Sequence, residues 1–309
     1  MHKFEKVQVA VLGYNGMGKN HIQVLNKLGV NICGILTSSL SSGKSALEEI
    51  KDEFDIETKA YTNLSDLIDE NNPQAIHICT PDKIHFLNIL KAFDESIPVF
   101  CEKPLFWNQS ISKKEVSENL SVISRHPNRK IFLNTSNSAL IGQIKNHLPE
   151  TPDIRTFDFE FNTNGKNRFN NIASDLMPHG LAMLQEIAGT SFKAKDFSSQ
   201  IEEKKYACSF KYKNIAVSFR FCQDQHIKKK LEFSINNIRF KRLQSIKNQN
   251  YTVSIKDFES NEIFEVNNPL EVFINEFLQF CTSKNKTKKD GFESAFWNLS
   301  MMSKMLLTD

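Results

Sequence analysis

The chain has 309 residues, 40% hydrophobic and 24% charged, with a formal net charge of +3, which suits a globular protein long enough for two domains. So small a positive balance, spread along the chain, excludes the strongly basic footprint of a nucleic-acid partner, and Lys228-Lys229-Lys230 is too short a run to make one. No apolar stretch approaches bilayer length and the first six residues lack the apolar segment of a signal peptide, so a cytoplasmic protein with no membrane partner is expected.

Residues 7–12 are a short apolar run rich in valine, which reads as a buried strand because it is too brief for a helix. Three glycines follow, Gly13, Gly16 and Gly18, and then Ile22, Leu25 and Leu28 recur at helical spacing. Residues 30–36 read as a second strand, 37–44 as a serine-rich turn and 46–54 as a helix. A short helix over 63–70 takes Asn63 as its cap. Strand 75–79 ends at Thr80-Pro81, helix 84–94 follows, and strand 99–101 runs into Glu102-Lys103-Pro104. Helix 113–124 and strand 130–134 complete the series. Strands alternating with helices in this way predict a doubly wound parallel sheet, a Rossmann-type domain over residues 1–136.

The remainder, 137–309, changes character. Residues 155–162 alternate, with Phe157, Phe159 and Phe161 on one side and Asp158 and Glu160 on the other. Further strands are expected over 206–213, 215–222, 231–235, 251–258 and 263–266. Helices are expected over 176–188, stopped by Gly189, over 270–281 after Pro269, and over 292–307. Residues 162–171 are the most loop-like. Successive strands without intervening helices imply an α+β domain with a large, mostly antiparallel sheet covered on one face. Its phenylalanines point to subunit contacts through an open face, a homo-oligomer, although core packing explains the same residues. Six scattered cysteines without a Cys-x-x-Cys pair make a metal site unexpected and a disulfide framework more so.

Strand, glycine turn and helix are the setting in which a G-x-G-x-x-G pattern binds a dinucleotide, with the pyrophosphate on the helix N-terminus. Gly13 and Gly18 match the first and third glycines, Asn15 takes the middle place, and Gly13, Asn15, Gly16, Met17 and Gly18 form the expected cradle. Asparagine tolerates left-handed backbone, so the turn survives the exchange. At the end of the second strand, Thr37, Ser38 and Ser39 stand where a carboxylate would grip the ribose of NAD. Those hydroxyls with Lys44 admit the 2′-phosphate of NADP; equally, they form a polar loop that discriminates nothing. The cofactor is therefore NAD or NADP.

Lys103 lies just past a strand's C-terminal end, the edge where open parallel sheets bind ligands. An ammonium there can stabilise charge on the oxygen of a hydroxyl or carbonyl, whereas the plainer reading is a surface lysine in a turn. Asp175 and His179 share a face if helical, and imidazole suits proton exchange near neutrality. Pro178 suggests that this helix begins near 176–178 with Asp175 as its cap, which is the structural alternative for that residue.

Taken together, 13–21, Thr80-Pro81 with His85, Cys101-Glu102-Lys103-Pro104-Leu105, and Asp175 with His179 resemble the Gfo/Idh/MocA oxidoreductases nearly end to end. That family includes glucose-fructose oxidoreductase and inositol 2-dehydrogenase. The resemblance implies hydride transfer between a nicotinamide cofactor and a secondary alcohol or ketone of a sugar, cyclitol or nucleotide-sugar. It implies a catalytic Lys103 whose bond to Pro104 is often cis, His179 as acid/base and Asp175 at the substrate. It also puts Thr80, Pro81 and His85 near the nicotinamide ribose, and Glu102 and Lys103 among the cofactor-binding residues. The chain departs from its relatives at three places. Asn134-Thr135-Ser136-Asn137 stands where an Arg-Phe pair is common, Ala182 where an acid is common, and Ile235-Asn236-Asn237-Ile238 where glycine is common. These departures leave a catalytically reduced binding or accessory protein as the alternative.

Overall fold

The computed structural model describes residues 4–145, 154–191, 193–247, 250–283 and 290–307. By proximity the chain falls into two compact units, Met1–Asn134 with Phe273–Phe296, and Thr135–Val272 with Trp297–Asp309.

The first unit is built on a parallel sheet of β1 (Gln8–Leu12), β2 (Asn31–Leu36), β3 (Ala60–Tyr61), β4 (Ala75–Ile78), β5 (Val99–Glu102) and β6 (Ile131–Asn134), in the order β3-β2-β1-β4-β5-β6. Helices α1 (Met17–Lys27), α2 (Leu40–Phe54), α3 (Leu64–Asn71), α4 (His85–Asp94) and α5 (Lys113–Arg125) connect the strands. The order reverses between β1 and β4, and such a switch point opens a crevice at the strands' C-terminal ends. The two-residue β3 is too short to leave a periodic signal. The serine-rich segment is no simple turn: Ser39 and Ser42 form a reciprocal capping box that starts α2 at Leu40, six residues earlier than its apolar spacing suggests.

The sequence put everything after 136 into one domain, but Phe273–Phe296 returns to the first unit. Phe277 packs against His77 and Phe100, and the Gly291 amide donates to the Ile131 carbonyl at 2.7 Å. A Cβ on Gly291 would stand 2.9 Å from that same oxygen, so glycine permits the approach.

The second unit holds α6 (Ala139–Ile144), β7 (Thr156–Thr163), α7 (Asn170–Ala188), β8 (Ala194–Ile201), β9 (Lys205–Tyr212), β10 (Ile215–Gln223), β11 (Lys230–Ile235), β12 (Ile238–Lys247), β13 (Asn250–Asp257) and β14 (Ile263–Val266). The sheet order is β14-β13-β12-β11-β7-β10-β9-β8, antiparallel throughout except for the β7–β10 pair. Strands β8 and β12 escaped the sequence reading: β8 is an edge strand exposed along most of its length, and charges interrupt the alternation of β12. Helices α8 (Pro269–Thr282) and α9 (Phe292–Leu306) close the chain.

Phe157, Phe159, Phe219, Phe221 and Phe233 are all buried, and α7 packs against Phe159 and Phe219. A Cβ on Gly180 would come within 2.7 Å of the Phe159 ring and 3.0 Å of the Phe219 ring. The phenylalanines are therefore the core beneath a helix, not an open contact face. The opposite side of the sheet is charged. Glu232 there meets Lys241 at 3.1 Å and pairs with Arg239, and Lys230 reaches Glu160 at 2.5 Å.

Helix α7 begins at Asn170, so Asp175 is an interior residue and not the expected cap, and Pro178 lies inside the helix. Proline within a helix costs roughly 3 kcal/mol. The buried Ile172, Leu176 and Met177 each contribute about 1.5–3 kcal/mol, enough to carry the helix through it.

Candidate active site

The glycine turn sits at the C-terminal end of β1, beside the end of β4. Gly13 has φ +88°, and a Cβ there would stand 2.7 Å from the Cys79 carbonyl oxygen. A Cβ on Gly18 would fall 1.9 Å from the Gly13 carbonyl oxygen, so only glycine lets α1 start this close to the strand. The second left-handed position is Gly16 at φ +65°, and Asn15 is not left-handed. Asparagine therefore does not stand in for a strained glycine here; the strain falls one residue later, where glycine is present. Space beside the Gly16 Cα is open to at least 4 Å. Helix α1 has no side-chain cap at Gly16 and no acidic residue in its first turn. Its leading amides and positive dipole end thus have no carboxylate from the helix's own first turn, and the turn fits a dinucleotide pyrophosphate.

At the end of β2, Thr37 donates to the Ser39 carbonyl at 3.1 Å, and Ser39 is engaged as the α2 cap. Ser38 and Lys44 are exposed, and no carboxylate occupies the strand end.

Thr80 and Pro81 follow β4. The nearby His85 is buried, with Nε2 2.6 Å from the Thr80 carbonyl oxygen and Nδ1 3.0 Å from that of Pro104. Expected at the cofactor, His85 has both ring nitrogens on main-chain oxygens and ties the Thr80 turn to the turn after β5. Lys103 opens that second turn, half-buried, with a cis bond to Pro104.

Glu102, the residue before the lysine, belongs to a buried polar chain. His21 Nε2 lies 2.8 Å from Glu102 Oε1, and Asn134 donates to the same oxygen at 2.5 Å. The Nδ1 atoms of His21 and His77 are 3.0 Å apart, and the His77 ring stacks on Phe100. Burial pushes the Glu102 carboxyl up, but hydrogen bonds from His21 and Asn134 and the positive charges of His21 and Lys103 prevail and hold it below its ordinary value. A carboxylate only accepts, so His21 donates through Nε2. Burial, with His21 beside it, holds His77 well below its ordinary value, and it is neutral. The sequence reading gave His21 no role and missed His77. The available signal was a histidine in the wholly apolar setting of β4, where a buried polar group needs a partner.

Asp175 and His179 sit one turn apart on α7, both half-buried among fully buried neighbours. Asp175 Oδ2 accepts from Gln223 Nε2 at 2.5 Å and from Asn167 Nδ2 at 3.2 Å. Gln223 is itself fully buried and accepts from the Asn167 amide at 2.9 Å, so it fixes the carboxylate; nothing in the strand pattern of β10 announced it. The His179 and Phe161 rings meet in a T-shaped contact, 5.4 Å between centroids.

Residues 7–128 match the model of an oxidoreductase family with an NAD-binding Rossmann fold, Gfo/Idh/MocA. Residues 7–128 are thus similar to a Gfo/Idh/MocA NAD-binding domain. Over 103 residues the chain is 32% identical to the inositol 2-dehydrogenase of Arthrobacter sp. (strain FB24), covering 33% of this chain and 29% of that protein. The matched part thus spans about a third of the curated relatives' length. Among solved structures, the UDP-N-acetylglucosamine 3-dehydrogenase of Acidithiobacillus ferrooxidans aligns with a TM-score of 0.70 at 14% identity, over 97% of this chain and 96% of that one. The myo-inositol 2-dehydrogenase of Lactobacillus plantarum aligns at 0.67 and 16% identity, over 96% and 95%. The fold of these two dehydrogenases thus extends over both units.

Departures from the Gfo/Idh/MocA pattern have local explanations. Asn236, in place of glycine, adopts φ +52°, which asparagine tolerates, and its side chain accepts from the Arg155 amide at 2.8 Å. Ala182 is buried, where an unpaired acid would be costly. Asn134 donates to Glu102, and Asn137 accepts from Arg242 at 2.6 Å.

Proposed function

We propose that the protein is an NAD(P)-dependent dehydrogenase or reductase acting on a secondary alcohol or ketone of a sugar, cyclitol or nucleotide-sugar. The observation that carries this reading is the glycine turn. Its backbone fits only glycine at positions 13 and 18, and its helix starts with no side-chain cap and no acidic residue in its first turn. A bound nicotinamide would accept or supply the hydride. Backbone amides of 16–18 bind the pyrophosphate, and Thr80 and Pro81 border the ribose.

The Lys103 ammonium hydrogen-bonds the reacting oxygen and stabilises its developing charge. His179 exchanges the hydroxyl proton, and Asp175, fixed by Gln223, orients a substrate hydroxyl. Exposed Ser38 and Lys44, with no carboxylate at the end of β2, support acceptance of NADP. Dissociation constants measured in parallel test this, and much tighter NAD binding removes it. Self-association through the second sheet is part of the reading, with the charged face as its surface; light scattering at low and high salt tests it.

Lys103→Ala should lower turnover by about 100-fold or more while cofactor affinity stays within a few-fold. An unchanged rate takes the lysine out of the mechanism. Tight cofactor binding without reduction by any of a broad sugar panel favours the accessory-protein alternative.

A further inference from the structure

The helix-side face of the second sheet carries Arg242 where its pattern calls for an apolar residue; the buried Asp257, at the end of β13 opposite Phe240, faces the same way and accepts from the Glu259 amide at 2.8 Å. In register across the strands lie Tyr206, Phe221, Phe161, Leu231, Arg242 and Ile255. Arg242 alternates with the buried Phe240 and so faces the same way as these residues. Its guanidinium donates to Asn137 Oδ1 at 2.6 Å, and its Cζ stands 5.6 Å from the centre of the Phe161 ring. His179 meets that same ring at 5.4 Å.

The outward-facing cations of this region are matched. Arg239 and Lys241 pair with Glu232, and Arg220 lies 3.9 Å from Asp158. Arg242 makes no ion pair among the described residues, although it is half-buried. Half-buried charges ordinarily have a counter-charge, because removing an ion from water is otherwise unfavourable. One amide oxygen occupies one of the five guanidinium N–H groups, and the fork suits a carboxylate or a phosphate.

We propose that Arg242 is a substrate-binding residue, and that the substrate is an anionic sugar whose carboxylate or phosphate it receives while His179 faces the reacting hydroxyl. Phe161 is the apolar floor shared by the two. The proposal narrows the substrate class of the dehydrogenase reading and rests on His179 belonging to that site.

The test separates binding from turnover. Full-length protein with NADP is titrated calorimetrically with D-glucuronate, D-glucose 6-phosphate, D-glucose and myo-inositol. At least one anionic sugar should bind about 10- to 100-fold more tightly than glucose. Whether glucuronate or the phosphate leads tells which oxyanion the fork takes. Arg242→Gln should bring anionic and neutral ligands to near parity, and Arg242→Lys should restore part of the difference. Arg242→Met, which completes the apolar row, should melt at or above the wild-type temperature.

Neutral sugars binding as tightly as the anions, no anion binding, or a preference that survives in Arg242→Gln overturns the proposal. Arg242-dependent anion binding in a protein that never reduces NADP supports the subsite and removes the dehydrogenase reading instead.

Discussion

Glu102 occupies a place where a carboxylate is hard to keep ionised, and it is kept so by neighbours that come from separate strands and helices. Burial raises its pKa; His21, Asn134 and the adjoining Lys103 lower it further than burial raises it. Glu102→Gln should therefore cost about 1–3 kcal/mol at pH 7.5, because His21 would face an amide in place of a charge. The depressed carboxyl contributes stability that is present above its ordinary value of 4.5 and lost as pH falls through the native value. The difference between wild type and variant should shrink below pH 4.5. Urea midpoints at pH 7.5 and below pH 4.5 check this, and equal midpoints at pH 7.5 would deny the His21–Glu102 hydrogen bond its role. The residues of the glycine turn were legible because glycine spacing reports backbone angles directly. His21 was not, since its partner Glu102 lies 81 positions away.

Helix α7 shows which forces set an element. Local rules expected it to start near 176–178; apolar burial starts it at Asn170. The same competition decides Gly180. Alanine would gain about 1 kcal/mol in helix propensity. Its Cβ, however, would press within 2.7 Å of Phe159 and 3.0 Å of Phe219, and overpacking costs about 1–3 kcal/mol. Gly180→Ala should destabilise by about 1 kcal/mol in urea unfolding; a gain in stability would mean that the rings yield freely. Asp175 and His179 share a face as the sequence suggested, but their setting does not. Gln223, at the end of β10, holds the carboxylate that capping was expected to occupy.

Acid should act on the two units unequally. His77, in the first unit, is held neutral by burial, so its native pKa lies well below the ordinary 6.5. The unfolded chain takes up that proton first, and stability must fall as pH drops below about 6.5. Glu102 adds its own loss below 4.5. Trp107 lies in the first unit and Trp297 in the second, which gives each unit a fluorescent reporter. In single-tryptophan variants, the Trp107 transition should come at the higher pH, and His77→Asn should flatten the slope between pH 6.5 and 5. Coincident transitions would show that the histidine does not govern acid unfolding.

What the sequence determined by itself is whatever neighbouring residues encode. The β-branched run, glycine turn and helix at 7–27, the alternation of strands and helices to 134, and the period-two phenylalanines of β7 depend on contacts within a few residues. Tertiary structure decided the rest. It returned Phe273–Phe296 to the first sheet, turned the phenylalanines under α7, and brought Asn137 to Arg242 across 105 positions. Whether a side chain is core, cap or ligand depends on the partner that packing delivers. That partner is set by burial free energy over the whole fold, which no local pattern carries.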